Sequence, residues 1–261
     1  MSGRLVPAFV AAEWTKIRTL RSARWCLLLS FVISVALGYL VALVFRVDFP
    51  RLPAAERASF DPLYVTFYSL TLGQLALVAF GAVTVGSEYS SGTIRTSLAA
   101  MPRRGRFYAA KVAATTLAAG GVSLLTVAAT FAAAQAGLGA HATSLTAPGS
   151  AQAVLGAWLY LILICAFAVG LASALRSSAF TLGVLMPLLL LDSQGLGNVP
   201  KLKNVAQYLP DQAGLVIMHL TGPAGGRFGR PYGPWAGLGI VALWVIAALA
   251  CGYLVLARSD A

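Results

Sequence analysis

Apolar positions along the chain gather into long runs, and short stretches between them carry most of the charges. The first run, Trp25 to Phe45, holds 21 residues without a charge between Arg24 and Arg46. A helix of that length reaches about 30 Å, the thickness of a bilayer's hydrocarbon core. Comparable runs cover about 63–86, 112–136, 153–175 and 235–257. A shorter one, about 178–192, is bounded by Arg176 and Asp192 and contains Pro187. As a helix it would reach about 24 Å, which suits a short or kinked crossing. Counting it as a span puts both chain ends on the same side of the membrane. The pattern predicts an all-α membrane protein with six transmembrane helices. An N-terminal amphipathic interfacial helix within residues 1–24 precedes them, and a short tail, 258–261, follows.

Composition agrees with the pattern. Of the 261 residues, 59% are apolar and 10% charged, whereas an average soluble domain carries about 25% charged residues. One continuous membrane domain is the simplest organisation. The three cysteines, Cys26, Cys165 and Cys251, lie in or beside apolar runs without metal-ligand spacing, and are expected to be buried free thiols. No cleavable signal peptide is expected, because the first apolar run is too long and starts too late.

Charge placement predicts direction. With the N-terminus inside, the inner segments hold 12 basic and three acidic residues, the outer ones seven and five. Lys16, Arg18, Arg21 and Arg24 crowd just ahead of the first span, as the positive-inside rule favours. The net charge of +11 therefore reads as topology and contact with anionic lipid, not as nucleic-acid binding.

Three stretches outside the runs carry the remaining information. On a helical wheel Val6, Phe9, Val10, Trp14, Ile17 and Leu20 share one arc, with Glu13 inside it. This is either an interfacial anchor alone or also a docking helix, with Glu13 pairing to a cytoplasmic partner. Between the second and third runs, Gly92 can end a helix and Thr93 can cap a short one over Ile94 to Ala100, which Pro102 would end. Ile94, Leu98 and Met101 give that helix an apolar face, and Arg103, Arg104 and Arg106 follow it. The stretch is either a surface for a soluble partner or a loop whose arginines only enforce topology. Near the last span, Tyr208, Leu209 and Pro210 precede an apolar stretch, Ala213 to Leu220, too short to cross. It is expected to be re-entrant or packed on the outer surface. His141 and His219 read as ordinary surface or interface residues. Gln74 and Gln135 either line a path or bond helix to helix, and Gly233 with Gly237 forms a possible helix-contact pair.

These residues resemble the permease subunit of type-2 ABC transporters, the ABC exporter group. The likeness rests on Glu13 to Ser22, on Glu88 to Arg95 with Met101 to Arg104, and on Tyr208 to Pro210 with the closing Arg258 to Ala261. The closing stretch departs from the doubled arginine associated with such permeases, having Ala257-Arg258. The resemblance implies two permease copies, identical or not, in a bacterial cell membrane, each engaging a cytoplasmic ABC ATPase subunit. It implies a coupling loop containing Glu88, Tyr89, Gly92, Thr93, Ile94, Arg95, Pro102, Arg103 and Arg104. It further implies a docking helix with Glu13, Lys16, Arg18 and Arg21, and an outer fold-back at Tyr208, Leu209 and Pro210.

The sequence has no G-x-x-x-x-G-K-[ST] phosphate loop, so energy is expected to come from a partner, and no cofactor is expected. The spans lack the Asp, Glu or His relay of an ion-driven carrier. An intramembrane enzyme is disfavoured by the absence of H-E-x-x-H, G-x-S-x-G and paired intramembrane carboxylates. A non-transporting anchor or sensor subunit stays open as the alternative to a permease.

Overall fold

The computed structural model describes residues 5–100, 103–193, 203–221 and 229–258. All regular structure among them is helical, and five helical segments are long and apolar enough to cross a bilayer. The chain is an all-α membrane protein.

Helix α1 covers Leu5–Thr19, and α2, Arg21–Asp48, is the first long apolar helix. The break falls at Leu20, whose extended backbone interrupts the helical run. Arg21, expected in the N-terminal docking helix, is therefore in the first turn of α2. A small surface helix, α3 (Ala54–Ala58), leads to the second apolar segment, which is divided into α4 (Pro62–Tyr68) and α5 (Leu70–Ser90). The single run expected over 63–86 thus bends at Ser69 and continues one turn further. Asp61 opens α4 by accepting a hydrogen bond from the Leu63 amide at 2.8 Å.

Helix α6, Thr93–Ala100, matches the short helix expected there. The third long helix, α7, runs Arg104–Leu138. Arg104, Arg106 and Lys111 consequently belong to its first turns and not to the connecting loop. Helix α8 (Ser150–Leu175) follows, then α9 (Ser178–Ser193), a 16-residue helix with Pro187 inside it, shorter than the other five. Two short helices, α10 (Lys203–Ala206) and α11 (Pro210–Leu215), precede the last long one, α12 (Pro234–Arg258).

The second apolar segment is central: 72% of its apolar window is buried, against 22% for α2 and 28% for α12. Both outer helices display large apolar side chains, among them Leu28, Val32, Leu40 and Val44 on α2 and Leu243, Ile246 and Leu254 on α12. A soluble protein would hide such stripes; here they are the surface offered to lipid.

Small residues let the helices close on one another. A Cβ at Gly170 would stand 2.7 Å from the Ala248 carbonyl carbon and from the Leu249 amide, so α8 meets the α12 backbone there. A Cβ at Gly81 would stand 2.8 Å from the Cys165 carbonyl oxygen, the equivalent approach of α5 to α8. Polar side chains add interhelical bonds: Tyr160 donates to Gln74, and Gln135 donates to Thr66 at 2.8 Å and accepts from the Thr143 amide at 2.8 Å. Both glutamines are thus helix-contact residues. Gly233 has open space around it, and Gly237 faces the Ala213 carbonyl of α11, so the two do not form one helix-contact face. The three cysteines are free, but only Cys165 is buried as expected; Cys26 is half-buried and Cys251 exposed, because they sit on the outward sides of α2 and α12.

Replacing Gly170 with Leu should force α8 from α12, costing about 1–3 kcal/mol by overpacking and lowering the thermal midpoint in detergent. Gly183→Ala, at a position with nothing within 4 Å, should leave the midpoint unchanged or raised.

Candidate functional site: an ion cluster beneath a short helix

Helices α1 and α6, the start of α7 and the end of α12 gather at one end of the bundle, here called the basic face. Glu13 and Ile17 are one turn apart on α1, and both are buried, while Trp14, Lys16 and Arg18 are exposed. Periodicity placed Trp14 on the same arc as Ile17. The buried stripe passes through Glu13 and Ile17, both within that arc, because the Glu13 carboxylate has partners inside the protein, and it leaves Trp14 exposed.

Lys111, on α7, is 4% exposed and must find counter-charges. Its Nζ lies 2.7 Å from Glu13 Oε2 and 2.9 Å from Glu88 Oε1. Lys16 approaches from the solvent side, with Nζ at 2.7 Å from Glu13 Oε1 and 2.8 Å from Glu88 Oε1. It also donates to Ser97 Oγ of α6 at 3.3 Å. Two lysines and two glutamates thus form a locally neutral cluster that ties α1, α5, α6 and α7 together. Lys111 also lies 5.5 Å from the centre of the Phe107 ring.

Burial alone would raise the Glu13 pKa, but Lys111 and Lys16 outweigh it and hold the carboxyl below its usual value. For Lys16, burial opposes the charge, whereas the bonds to Glu13 and Glu88 outweigh that and raise its pKa. Glu13 thus pairs within the chain, with Lys111 and Lys16.

Helix α6 is held from its other flank by apolar contact. Ile94 is buried with Phe107, Tyr108 and Leu256, and Leu98 and Tyr89 pack against that group. Gly92, with φ +71°, makes the turn between α5 and α6 in a conformation that glycine adopts without strain. The remaining positions, Thr93, Arg95, Thr96 and Ala99, are exposed, as is Arg103. The apolar face of the helix, through Ile94 and Leu98, is thus turned onto the bundle, and the polar face is presented outward. Pro102 and Met101 lie outside the described residues.

Arg104 turns back to the bundle, its Nη1 donating to the Leu256 and Ala257 carbonyls at 2.9 and 3.1 Å. Arg176 donates to the Val255 carbonyl at 3.1 Å and stands 6.0 Å from the Tyr89 ring centre. Both cap the C-terminal turn of α12, where carbonyls lack helical partners and the helix dipole favours cations. Arg18, Arg21, Arg95 and Arg103 stay exposed and outside the cluster.

At the opposite end, Pro210 is the first residue of α11, all of whose residues are buried. The apolar stretch Ala213–Leu220 is thus a short helix followed by turns, packed on α8, α9 and α12. Tyr208 is exposed; its carbonyl accepts from Trp244 Nε1 at 2.8 Å, and its ring leans on Tyr232. Leu209 is half-buried. His219 Nδ1 lies 2.8 Å from Asp61 Oδ2, and His141 stacks on Phe49 with ring centres 3.8 Å apart, so both histidines make local contacts.

Sequence reasoning missed Lys111, Ser97 and Arg176 as site residues. The available signal was Lys111 itself: a lysine beginning an apolar run needs a carboxylate, and Glu13 and Glu88 flank the neighbouring runs. Known protein families and curated proteins offer no match to the chain.

Replacing Lys111 with Met should cost about 3–5 kcal/mol, since buried carboxylates lose their inner cation. Lys16→Met, at a half-exposed position, should cost much less; thermal unfolding in detergent compares them. Because the Glu13 pKa is lowered on folding, its stabilisation is complete above the usual glutamate value and disappears as pH falls through the lowered one. Amide exchange in α1 should therefore accelerate only in acid below the ordinary glutamate range.

Proposed function

We propose that the chain is the permease subunit of an ATP-driven type-2 ABC exporter, and that its basic face is the cytoplasmic docking face for a separate ATPase. Helix α6 is the coupling helix in this reading. The supporting observation is its mounting: Ser97 bonds to the ion cluster on one flank, and Ile94 and Leu98 pack on the bundle from the other. A displacement of so short a helix is then transmitted to α1, α5, α7 and α12 and not absorbed by a loose loop. The outward Arg95, with Arg103 and the exposed Arg18 and Arg21, supplies a cationic surface for an acidic partner.

In the same reading α9 is a sixth, short crossing. Ser178 begins it against Gly86, near the basic-face end of α5, and Leu185 and Leu189 are buried in the core farther along. With that crossing both termini are cytoplasmic, and α11 with Tyr208, Leu209 and Pro210 belongs to the outer face. Two permease copies, identical or not, would flank the passenger's path.

Reconstitution with a candidate partner ABC ATPase tests the reading, and a gene for such an ATPase beside this one would favour transport over the anchor role. Arg95→Glu should reduce ATP turnover about tenfold or more, a loss of about 1.4 kcal/mol or more in coupling, with the thermal midpoint unchanged. Unaltered assembly and turnover would remove the coupling role. An intact complex that hydrolyses ATP but moves nothing would favour the anchor or sensor subunit. Cysteines introduced at Arg103 and Tyr208 should label from opposite sides of the membrane.

A further inference from the structure

The second apolar segment is one span in two pieces, α4 and α5, parted at Ser69. We propose that α4 is a lid at the outer end of the bundle, hinged at Ser69 and latched by His219 and Gln135, and that it swings while α5 stays in place. This rests on the outward placement of α4 and α11 in the reading above and on no ATPase.

The hinge is built into the backbone. At the break the Leu72 amide bonds to the Ser69 carbonyl at 3.2 Å, three residues back, where a regular α-helix would reach four. The Tyr68 carbonyl accepts from the Thr71 hydroxyl at 2.7 Å, and one turn earlier the Thr66 hydroxyl donates to the Pro62 carbonyl at 2.7 Å. Threonine side chains thus satisfy carbonyls around the bend, the condition under which a membrane helix tolerates a break. The pivot is close-packed without being bonded across. A Cβ on Gly38 of α2 would stand 3.2 Å from Ser69 Oγ and 3.0 Å from Thr130 Cγ2. Neither of those hydroxyls makes a hydrogen bond among the described residues. Element ends of this kind are where rigid pieces turn on one another.

Two polar contacts hold the lid. Asp61 Oδ1 accepts from the Leu63 amide, and its Oδ2 meets His219 Nδ1, both at 2.8 Å. One carboxylate therefore caps α4 and ties it to the segment after α11. His219 has φ +60°, a left-handed conformation uncommon outside glycine, which persists where surrounding contacts fix it. Its ring also lies over the turn before α8, where a Cβ on Gly149 would be 3.6 Å from Cε1. The second contact is Gln135 of α7, which donates to Thr66 and accepts from the Thr143 amide, both at 2.8 Å. Leu63, Val65 and Phe67 are buried beneath, so the lid is shut in this structure. Asp61 and His219 are both part-exposed, so water can replace their bond and release the latch without unfolding α4.

The test uses the full chain in nanodiscs, with Cys26, Cys165 and Cys251 replaced by alanine and spin labels on introduced cysteines. One pair, Tyr64 on α4 with Leu155 on α8, crosses the hinge, and both positions are exposed. The other pair joins Ala79, beyond the hinge on α5, to the same Leu155. His219→Gly removes the latch and suits the left-handed backbone. Seven residues of helix reach about 10 Å, so a swing should move the outer end by several ångströms. In the variant the first pair should gain a second, longer distance, and the second pair should keep its single one. Gln135→Leu serves if the first variant does not fold. An unchanged single distance across the hinge overturns the proposal. So does lengthening of both pairs together, which would be a loosening of the whole bundle. Labels entering at Arg103 and Tyr208 from one side of the membrane would instead overturn the outward placement, a failure the distances do not produce.

Discussion

The basic face depends on one buried cation, the ammonium of Lys111. It is almost wholly withdrawn from water, and an isolated charge there would be prohibitive. Glu13 and Glu88 neutralise it from two other helices, and that requirement sets the geometry of the face. Glu13 can reach only if α1 lies against α7, and Glu88 only if α5 extends one turn beyond its expected apolar end. Lys16 then restores the balance that two carboxylates around one lysine would upset. The short helix α6 rests on the completed cluster.

The division between inner and outer helices follows from solvent. Within the bundle, glycines at 81 and 170 bring backbones together, and Gln74 and Gln135 bond across. In a bilayer, close packing and interhelical bonds replace the hydrophobic drive that would assemble the same helices in water. The lipid-facing stripes of α2 and α12 need no such partners. Flexible behaviour is accordingly expected at the face that carries α1 and α6 more than within the bundle, since α6 is short and is held by few contacts.

Much of this was legible in the sequence. Uncharged runs of bilayer length gave five long helices, and Gly92 and Thr93 bounded α6, because both signals are local. The cluster was not legible: Glu13 and Lys111 are 98 positions apart, and no periodicity links them. For the same reason the helical wheel places Glu13 in the apolar arc without naming the lysines that neutralise it. Leu20 carries no recognised stop signal, so the end of α1 at Thr19 was hidden, as was the bend at Ser69. The basic run Arg103, Arg104 and Arg106 looked uniform, yet Arg104 alone of the first two caps α12 while Arg103 stays exposed. Capping of one helix by another is a tertiary fact.

The central claim is that the polar face of α6 meets an ATPase and moves with it. The most direct measurement is cross-linking from a cysteine at Thr96, exposed on that face, in the reconstituted complex. A cross-link to the ATPase is predicted whose yield changes between the nucleotide-free and ATP-bound states, with none from a cysteine at Tyr208. An assembled complex that cross-links from Tyr208 and never from Thr96 would contradict it.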